Sequence, residues 1–155
     1  MNATLYRGAD GASWATGAAR LLVEIDVGDQ TLPLAIRCRI GDVGPVHIAL
    51  LDTAASWSVL PRELAQAVSA EDVGAPPLVI RSRFGRHTGS IARFPLAFVA
   101  EEGWGSDVAL DARALVLDEW PGPVVLGLHG VLEVVRLALD PGAGPHDACV
   151  YFGPV

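Results

Sequence analysis

The sequence has 155 residues, a formal net charge of −7 and 51% hydrophobic residues. At this length one domain is expected, and the apolar fraction is large enough to bury a core. The acidic balance argues against a nucleic-acid partner, because the chain lacks the basic stripe that would neutralise phosphates.

The sequence carries no signal for a membrane, a metal or a disulfide framework. No run approaches the ~18 uninterrupted apolar residues of a membrane span, and no N-terminal targeting segment is recognisable. We therefore expect a cytoplasmic protein without a membrane partner. The two cysteines form no framework, and no two of the four histidines have a metal-ligand spacing, so we expect no metal or cofactor.

The first third of the chain changes from an aperiodic segment to alternating apolar residues. Residues 1–19 are rich in Gly, Ala, Ser and Thr, which predicts a flexible N-terminal arm before a single domain over 20–155. Period-two alternation predicts strands over 21–27 and 32–40. A returning strand over Val46–Leu51 then leads into Asp52, and a short helix is predicted from Pro61.

The rest of the chain also reads as short strands separated by turns. Strands are predicted over 78–84 and 90–99 around a glycine-flanked tip at 85–89. Further strands are predicted over 109–117, 124–126, 135–140 and 149–152, with one or two helical turns over 128–133. This pattern indicates an all-β fold with one or two short helices.

Asp52 is the candidate catalytic residue, because it ends an apolar strand and is followed by Thr53 and two alanines. When two such loops meet, carboxylates ~3 Å apart cannot both ionise and share one proton. The ionised carboxylate can then take a proton from a water molecule, while the protonated one polarises a substrate carbonyl. A threonine hydroxyl can donate and accept between the two loops.

The segment ALLDTAASWSVLP resembles the active-site segment of retropepsin-like (retroviral-type) aspartic proteases, and the chain looks like a bacterial-type single-domain relative. The resemblance implies a closed β-barrel fold. It also implies a catalytic Asp52 with Thr53, followed by an active-site loop of Ala54, Ala55 and Ser56. The later apolar-apolar-Gly element of that family is matched by three residues that would support the loop from beneath: Val125, Leu126 and Gly127.

The same resemblance implies a flap, a hairpin that closes over the substrate. Its position in the chain falls on Phe84, Gly85, Arg86, His87, Thr88 and Gly89. The chain holds a single Asp-Thr pair and therefore only half of a catalytic site. A complete site requires a homodimer on a two-fold axis near Asp52. Terminal strands join the dimers of this family, so the last segment, 149–155, is the expected interface.

Two hypotheses follow from these residues. The first is a homodimeric aspartic endopeptidase that acts on a peptide or protein. The second is a non-catalytic relative with the same fold that binds a peptide or protein without cutting it. Ala54 keeps the second hypothesis open, because the family has glycine at that position. If the position requires a positive φ, alanine there costs stability or activity.

Overall fold

The computed structural model describes residues 7–8, 11–23, 34–42, 44–82, 84–144 and 147–155. Strands dominate the described residues: β1 (Gly17–Arg20), β2 (Leu22–Val23), β3 (Leu34–Ile40), β4 (Val46–Leu51), β5 (Val59–Pro61), β6 (Glu71–Asp72), β7 (Leu78–Ser82), β8 (Gly85–Phe98), β9 (Val108–Leu117), β10 (Val124–Leu126), β11 (Val135–Asp140) and β12 (Cys149–Pro154). Within the same described residues they are accompanied by one helix, α1 (Arg62–Ala67), and one 3₁₀ turn (Leu132–Val134). The predicted all-β fold with one or two short helices is confirmed.

Six strands close into a barrel in the order β3-β4-β10-β5-β9-β8. Closure depends on the antiparallel return of β8 to β3, where Cys38 lies opposite Phe98. Two of the pairings are parallel, β4 with β10 and β5 with β9. The parallel β4–β10 pair matters for function, because both strands end at the same edge of the barrel, where Asp52 and Gly127 follow them. The fold is therefore the closed β-barrel expected from the sequence.

A separate three-stranded sheet, in the order β1-β12-β11, packs on the barrel. Phe152 of β12 lies against Phe98 of β8, with ring centroids 5.5 Å apart. Both phenylalanines belong to one buried cluster that includes residues of the barrel and of the sheet. Burial of this continuous apolar surface is the main force that joins the two parts.

The predicted N-terminal arm is wrong at its C-terminal end, because Gly17–Arg20 form β1 and pair with β12. Ala18 is fully buried, and a Cβ on Gly17 would lie 2.3 Å from the Ser106 carbonyl oxygen. The small residues that suggested a loose segment instead allow close packing of the backbone. Residues 1–6 and 9–10 of the predicted arm lie outside the described residues.

The segment 149–155, the expected dimer interface, does not present a free sheet edge over Cys149–Phe152. β12 is the central strand of its sheet, with β1 on one side and β11 on the other. The backbone hydrogen bonds of Cys149–Phe152 are therefore already directed to these two neighbours. Within the described part of the chain, no helix is long and apolar enough to cross a membrane.

Candidate active site

The Asp52 loop lies between the end of β4 and the start of β5. Its first residue is fixed by the parallel neighbour strand, because the Asp52 amide donates to the Leu126 carbonyl at 3.1 Å. Leu126 lies beside Leu51 in the same register. The buried β4–β10 pair therefore ends by presenting Asp52 at the rim of the barrel.

The Asp52 carboxylate is exposed and is oriented by its own loop. Its Oδ1 atom accepts a hydrogen bond from the Ala54 amide at 2.9 Å and one from the Ala55 amide at 3.2 Å. This is the aspartate-based turn in which a side chain binds backbone amides two and three residues later. The loop therefore fixes the position of one carboxylate oxygen without a buried charged partner.

The other predicted loop residues lie around Asp52 with different degrees of exposure. Thr53, Ala54 and Ser56 are exposed, and Ala55 is half-buried. Among the described residues, Ser69 is the only non-glycine residue with a positive φ. Ala54 therefore has an ordinary backbone conformation, and the strain that a positive φ would impose on alanine is absent.

Gly127 lies directly beneath the loop. A Cβ at this position would lie 2.5 Å from both the carbonyl carbon and the carbonyl oxygen of Trp57, and 2.8 Å from the carbonyl oxygen of Ala55. The amide of Leu128 donates to the Ala55 carbonyl at 2.9 Å, and the amide of His129 donates to the Ser56 carbonyl at 2.9 Å. The structure thus brings Val125, Leu126 and Gly127 together with the Asp52 loop, and this approach requires glycine.

Ser58 ties the two segments together, a role that sequence reasoning missed. It is the one buried polar side chain among the described residues, with 1% exposure. Its Oγ accepts from the Gly127 amide at 3.0 Å and donates to the His129 carbonyl at 3.2 Å. In the sequence, Ser58 suggests at most a serine nucleophile, and no nucleophile motif surrounds it. Its position within an apolar alternating run was the signal for a buried structural hydroxyl.

A second group missed by sequence reasoning lies beside the loop. The rings of Trp57 and His129 are 5.2 Å apart, and His129 Nδ1 lies 3.2 Å from Glu133 Oε2. The other Glu133 oxygen accepts from the Gly130 amide at 2.8 Å. These contacts lower the pKa of Glu133. The hydrogen bond from the Gly130 amide has the larger effect and that with His129 the smaller. The network holds the turn after Gly127 against the loop.

The predicted hairpin is present, but its turn lies earlier than expected. β7 ends at Ser82, which pairs with Gly85 at the start of β8, so residues 85–89 belong to a strand. Gly85 has a φ of 116°, which suits a turn. Gly89 is instead packed in the sheet, where a Cβ would lie 2.2 Å from the Val116 carbonyl oxygen. The expected tip at 85–89 is therefore wrong, because these residues lie in β8 after the turn.

The base of the hairpin and the Asp52 loop share one apolar cluster. Its buried members are Val59, Ile91, Leu115, Leu117 and Val125. Ala55 and Trp57 pack against this cluster from the loop, and Leu78 and Ile80 pack against it from β7. The other predicted flap residues lie further along, with Phe84, Arg86 and Thr88 exposed and His87 half-buried. An apolar wall thus connects the candidate catalytic loop to the hairpin.

Comparison with known proteins gives a structural likeness only. No family model matches the chain, and a search of the curated proteins finds no match. Among similar solved structures is a retropepsin-like aspartic protease from Rickettsia conorii. It is 15% identical, the match covers 92% of this chain and 97% of that chain, and the TM-score is 0.43. The function of this chain is therefore inferred from its own residues.

Proposed function

We propose that this chain is a homodimeric aspartic endopeptidase whose catalytic residue is Asp52. The observation that carries the proposal is the presentation of an exposed, oriented carboxylate at the end of the β4–β10 pair, over a glycine that admits no side chain. Catalytic groups need rigid support to keep a productive geometry. The Asp52 loop has that support from Gly127 and Ser58.

The dimer follows from the chemistry. Water attack on a peptide carbonyl requires one group that accepts a proton and another that donates a hydrogen bond to the carbonyl. The hydrogen bonds found for the Asp52 carboxylate, within the described residues, come from backbone amides of its own loop. The second carboxyl group is assigned to the partner subunit's Asp52. The two carboxyls then share one proton, as closely spaced carboxylates must.

The two Asp52 carboxyls and Thr53 have different roles in this scheme. The ionised carboxylate takes a proton from the water molecule, and the protonated one donates to the scissile carbonyl. Thr53 is exposed next to Asp52, where its hydroxyl can bridge the two loops. The substrate is a peptide or an unfolded protein segment held between the Asp52 loop and the 78–98 hairpin. The hairpin serves as the flap that limits the access of water.

The test compares wild-type protein with Asp52→Asn on casein between pH 4 and 7. Asparagine keeps the shape of the side chain but cannot share the proton, so we expect cleavage to be lost. The matched control is Asp42→Asn, because Asp42 is also exposed and follows β3, at the opposite end of the β3–β4 hairpin from Asp52. This control should cleave casein like the wild type.

Sedimentation equilibrium at micromolar concentration tests the dimer independently, and both asparagine variants should associate like the wild type. A strict monomer would remove the second carboxyl group and with it the proposed mechanism. Cleavage that persists in Asp52→Asn would also exclude it. A dimer that binds a peptide at the Asp52 loop but never cuts it would instead support the non-catalytic binding module.

A further inference from the structure

The 118–123 loop, which connects β9 to β10, holds the free end of the hairpin. The Trp120 indole lies edge-on to Phe84 and to His87, with ring centroids 5.3 Å apart in both pairs and interplanar angles of 89° and 78°. Edge-to-face contacts of this kind are favourable for aromatic rings. The hairpin is therefore attached to this loop by two ring contacts that surround one tryptophan.

The loop is shaped to present that tryptophan. Trp120 Nε1 donates to the Pro123 carbonyl at 2.7 Å, which fixes the indole plane. A Cβ on Gly122 would lie 2.9 Å from the Trp120 ring and 3.1 Å from the Phe84 ring. Gly122 thus leaves the space in which the two rings meet. We call Phe84, His87, Trp120 and Gly122 the aromatic latch.

One member of the latch is titratable and has an unsatisfied nitrogen. The Nε2 atom of His87 is buried, and none of the described residues offers it a hydrogen bond. A neutral imidazole loses little by this burial, because only one polar atom is involved. An imidazolium carries an N–H on both nitrogens, so the buried Nε2 would then hold a proton that none of the described residues accepts.

We propose that the aromatic latch is a pH-sensitive device, closed while His87 is neutral and released when His87 takes up a proton. Histidine is the side chain whose ordinary charge change falls between pH 5 and 8. Protonation then favours the conformation in which Nε2 reaches water or a carboxylate, and that conformation separates His87 from Trp120. The hairpin therefore opens as the pH falls.

The charged groups around the latch also favour its release when His87 is protonated. Arg86 lies next to His87 on β8, and Arg81 lies opposite Arg86 on β7, so an imidazolium in the closed hairpin would add a third positive charge. Asp118 and Glu119 line the recess beside His87 from the loop. Asp118 is paired with Arg62 of α1, which partly neutralises it. An imidazolium drawn towards these carboxylates would lose its edge-on contact with the Trp120 ring.

This device does not depend on the proposed protease activity, and its test is chosen accordingly. Hydrogen exchange of the peptide that contains residues 84–89 is measured at pH 5 and pH 8, after correction for the intrinsic exchange rate. In the wild type we expect exchange to be several-fold faster at pH 5. The segment Val135–Asp140 of β11 provides the internal reference and should not accelerate.

Three variants test the role of the imidazole and of its tryptophan partner. His87→Phe keeps a ring against Trp120 but cannot charge, so its hairpin should stay protected at both pH values. His47→Gln is the matched control, because it removes an imidazole on β4 and should keep the wild-type response. Trp120→Ala should exchange rapidly at both pH values. Circular dichroism establishes that each variant is folded.

The proposal is overturned by any of three results. The first is equal exchange of the wild-type hairpin at both pH values. The second is slower exchange at pH 5, which would mean that the imidazolium binds the indole through a cation–π contact. The third is the same acceleration in His87→Phe or in β11, which would indicate general acid destabilisation.

Discussion

Substitution of Gly127 by alanine should destabilise the fold, because the added methyl group would overlap the backbone of the Asp52 loop. The new Cβ would lie 2.5 Å from the carbonyl carbon and oxygen of Trp57 and 2.8 Å from the Ala55 carbonyl oxygen, whereas ordinary contacts begin near 3.4 Å. All three are backbone atoms and cannot be relieved by a change of rotamer. One segment must move by about 1 Å relative to the other, as the difference between these distances shows.

The cost follows from what that movement disturbs. Two backbone hydrogen bonds join the same two segments. The Leu128 amide donates to the Ala55 carbonyl and the His129 amide to the Ser56 carbonyl, each at 2.9 Å. Overpacking of a close-packed site costs about 1–3 kcal/mol. In a chain of this size each kcal/mol lowers the melting temperature by about 2–4 °C. We therefore expect Gly127→Ala to melt about 2–12 °C below the wild type.

Thermal unfolding followed by circular dichroism measures this shift, with Gly44→Ala as the control. Gly44 has no positive φ, and among the described residues a Cβ there would meet only the Ile40 carbonyl oxygen, at 3.8 Å. Gly44→Ala should be neutral or raise the free energy of unfolding by up to about 1 kcal/mol. If the two variants melt at the same temperature, Gly127 is not the close contact between the segments, and the support assigned to it is refuted.

Three further predictions concern the same structure. Ala54→Gly should lower the free energy of unfolding by about 0.4–1 kcal/mol, because it frees the unfolded chain without relieving strain; a rise in urea midpoint would contradict this. Glu133→Gln should lower stability at pH 7 by a few tenths of a kcal/mol, since the pKa of Glu133 is held down by the Gly130 amide and His129. A lowered carboxyl pKa contributes stability that is fully present above the unfolded value of about 4.3 and is lost as the pH falls below it, so the difference in stability between the two proteins should shrink as the pH falls; a constant difference would count against the network. Burial raises the pKa of Cys38 to about 12 and also raises that of Cys149, so iodoacetamide should label both thiols only after unfolding; rapid labelling of the native protein would be the opposite result.

The strands could be predicted from the sequence where one face of the strand is buried. In the second half of β3 the buried Ile36, Cys38 and Ile40 alternate with the exposed Arg37 and the half-buried Arg39, and the same alternation is visible in the sequence. β10 was recognisable as a short apolar run that ends at a glycine. These patterns do not specify how the barrel closes, because the pairing of β3 with β8 brings Cys38 to Phe98 across a long stretch of chain. Alternation fixes which face is buried, and tertiary packing selects the neighbour.

The errors of prediction involve small residues. Gly17 and Gly89 suggested a loose arm and a turn, yet each lies in a strand against a backbone carbonyl oxygen. A glycine that permits a turn and a glycine that permits close approach look the same in one sequence. The contacts of Ser58 with Gly127 and His129 were missed because their partners lie about seventy residues away. The antiparallel pairing of β5 with β10, in which Val59 lies opposite Val125, makes them neighbours.

The same distinction bears on Ala54, the departure that left activity open. A glycine is needed where φ is positive or where backbone lies against backbone, and Ala54 meets neither condition in the described structure because it is exposed and has no positive φ. Gly127 meets the second condition, because a Cβ there would overlap the backbone of Trp57 and Ala55. Within one chain, the strict requirement for glycine therefore lies beneath the loop rather than in it. An alanine after Asp52-Thr53 is compatible with the loop geometry that holds the carboxylate, because the Ala54 amide donates to Asp52 Oδ1 without a positive φ.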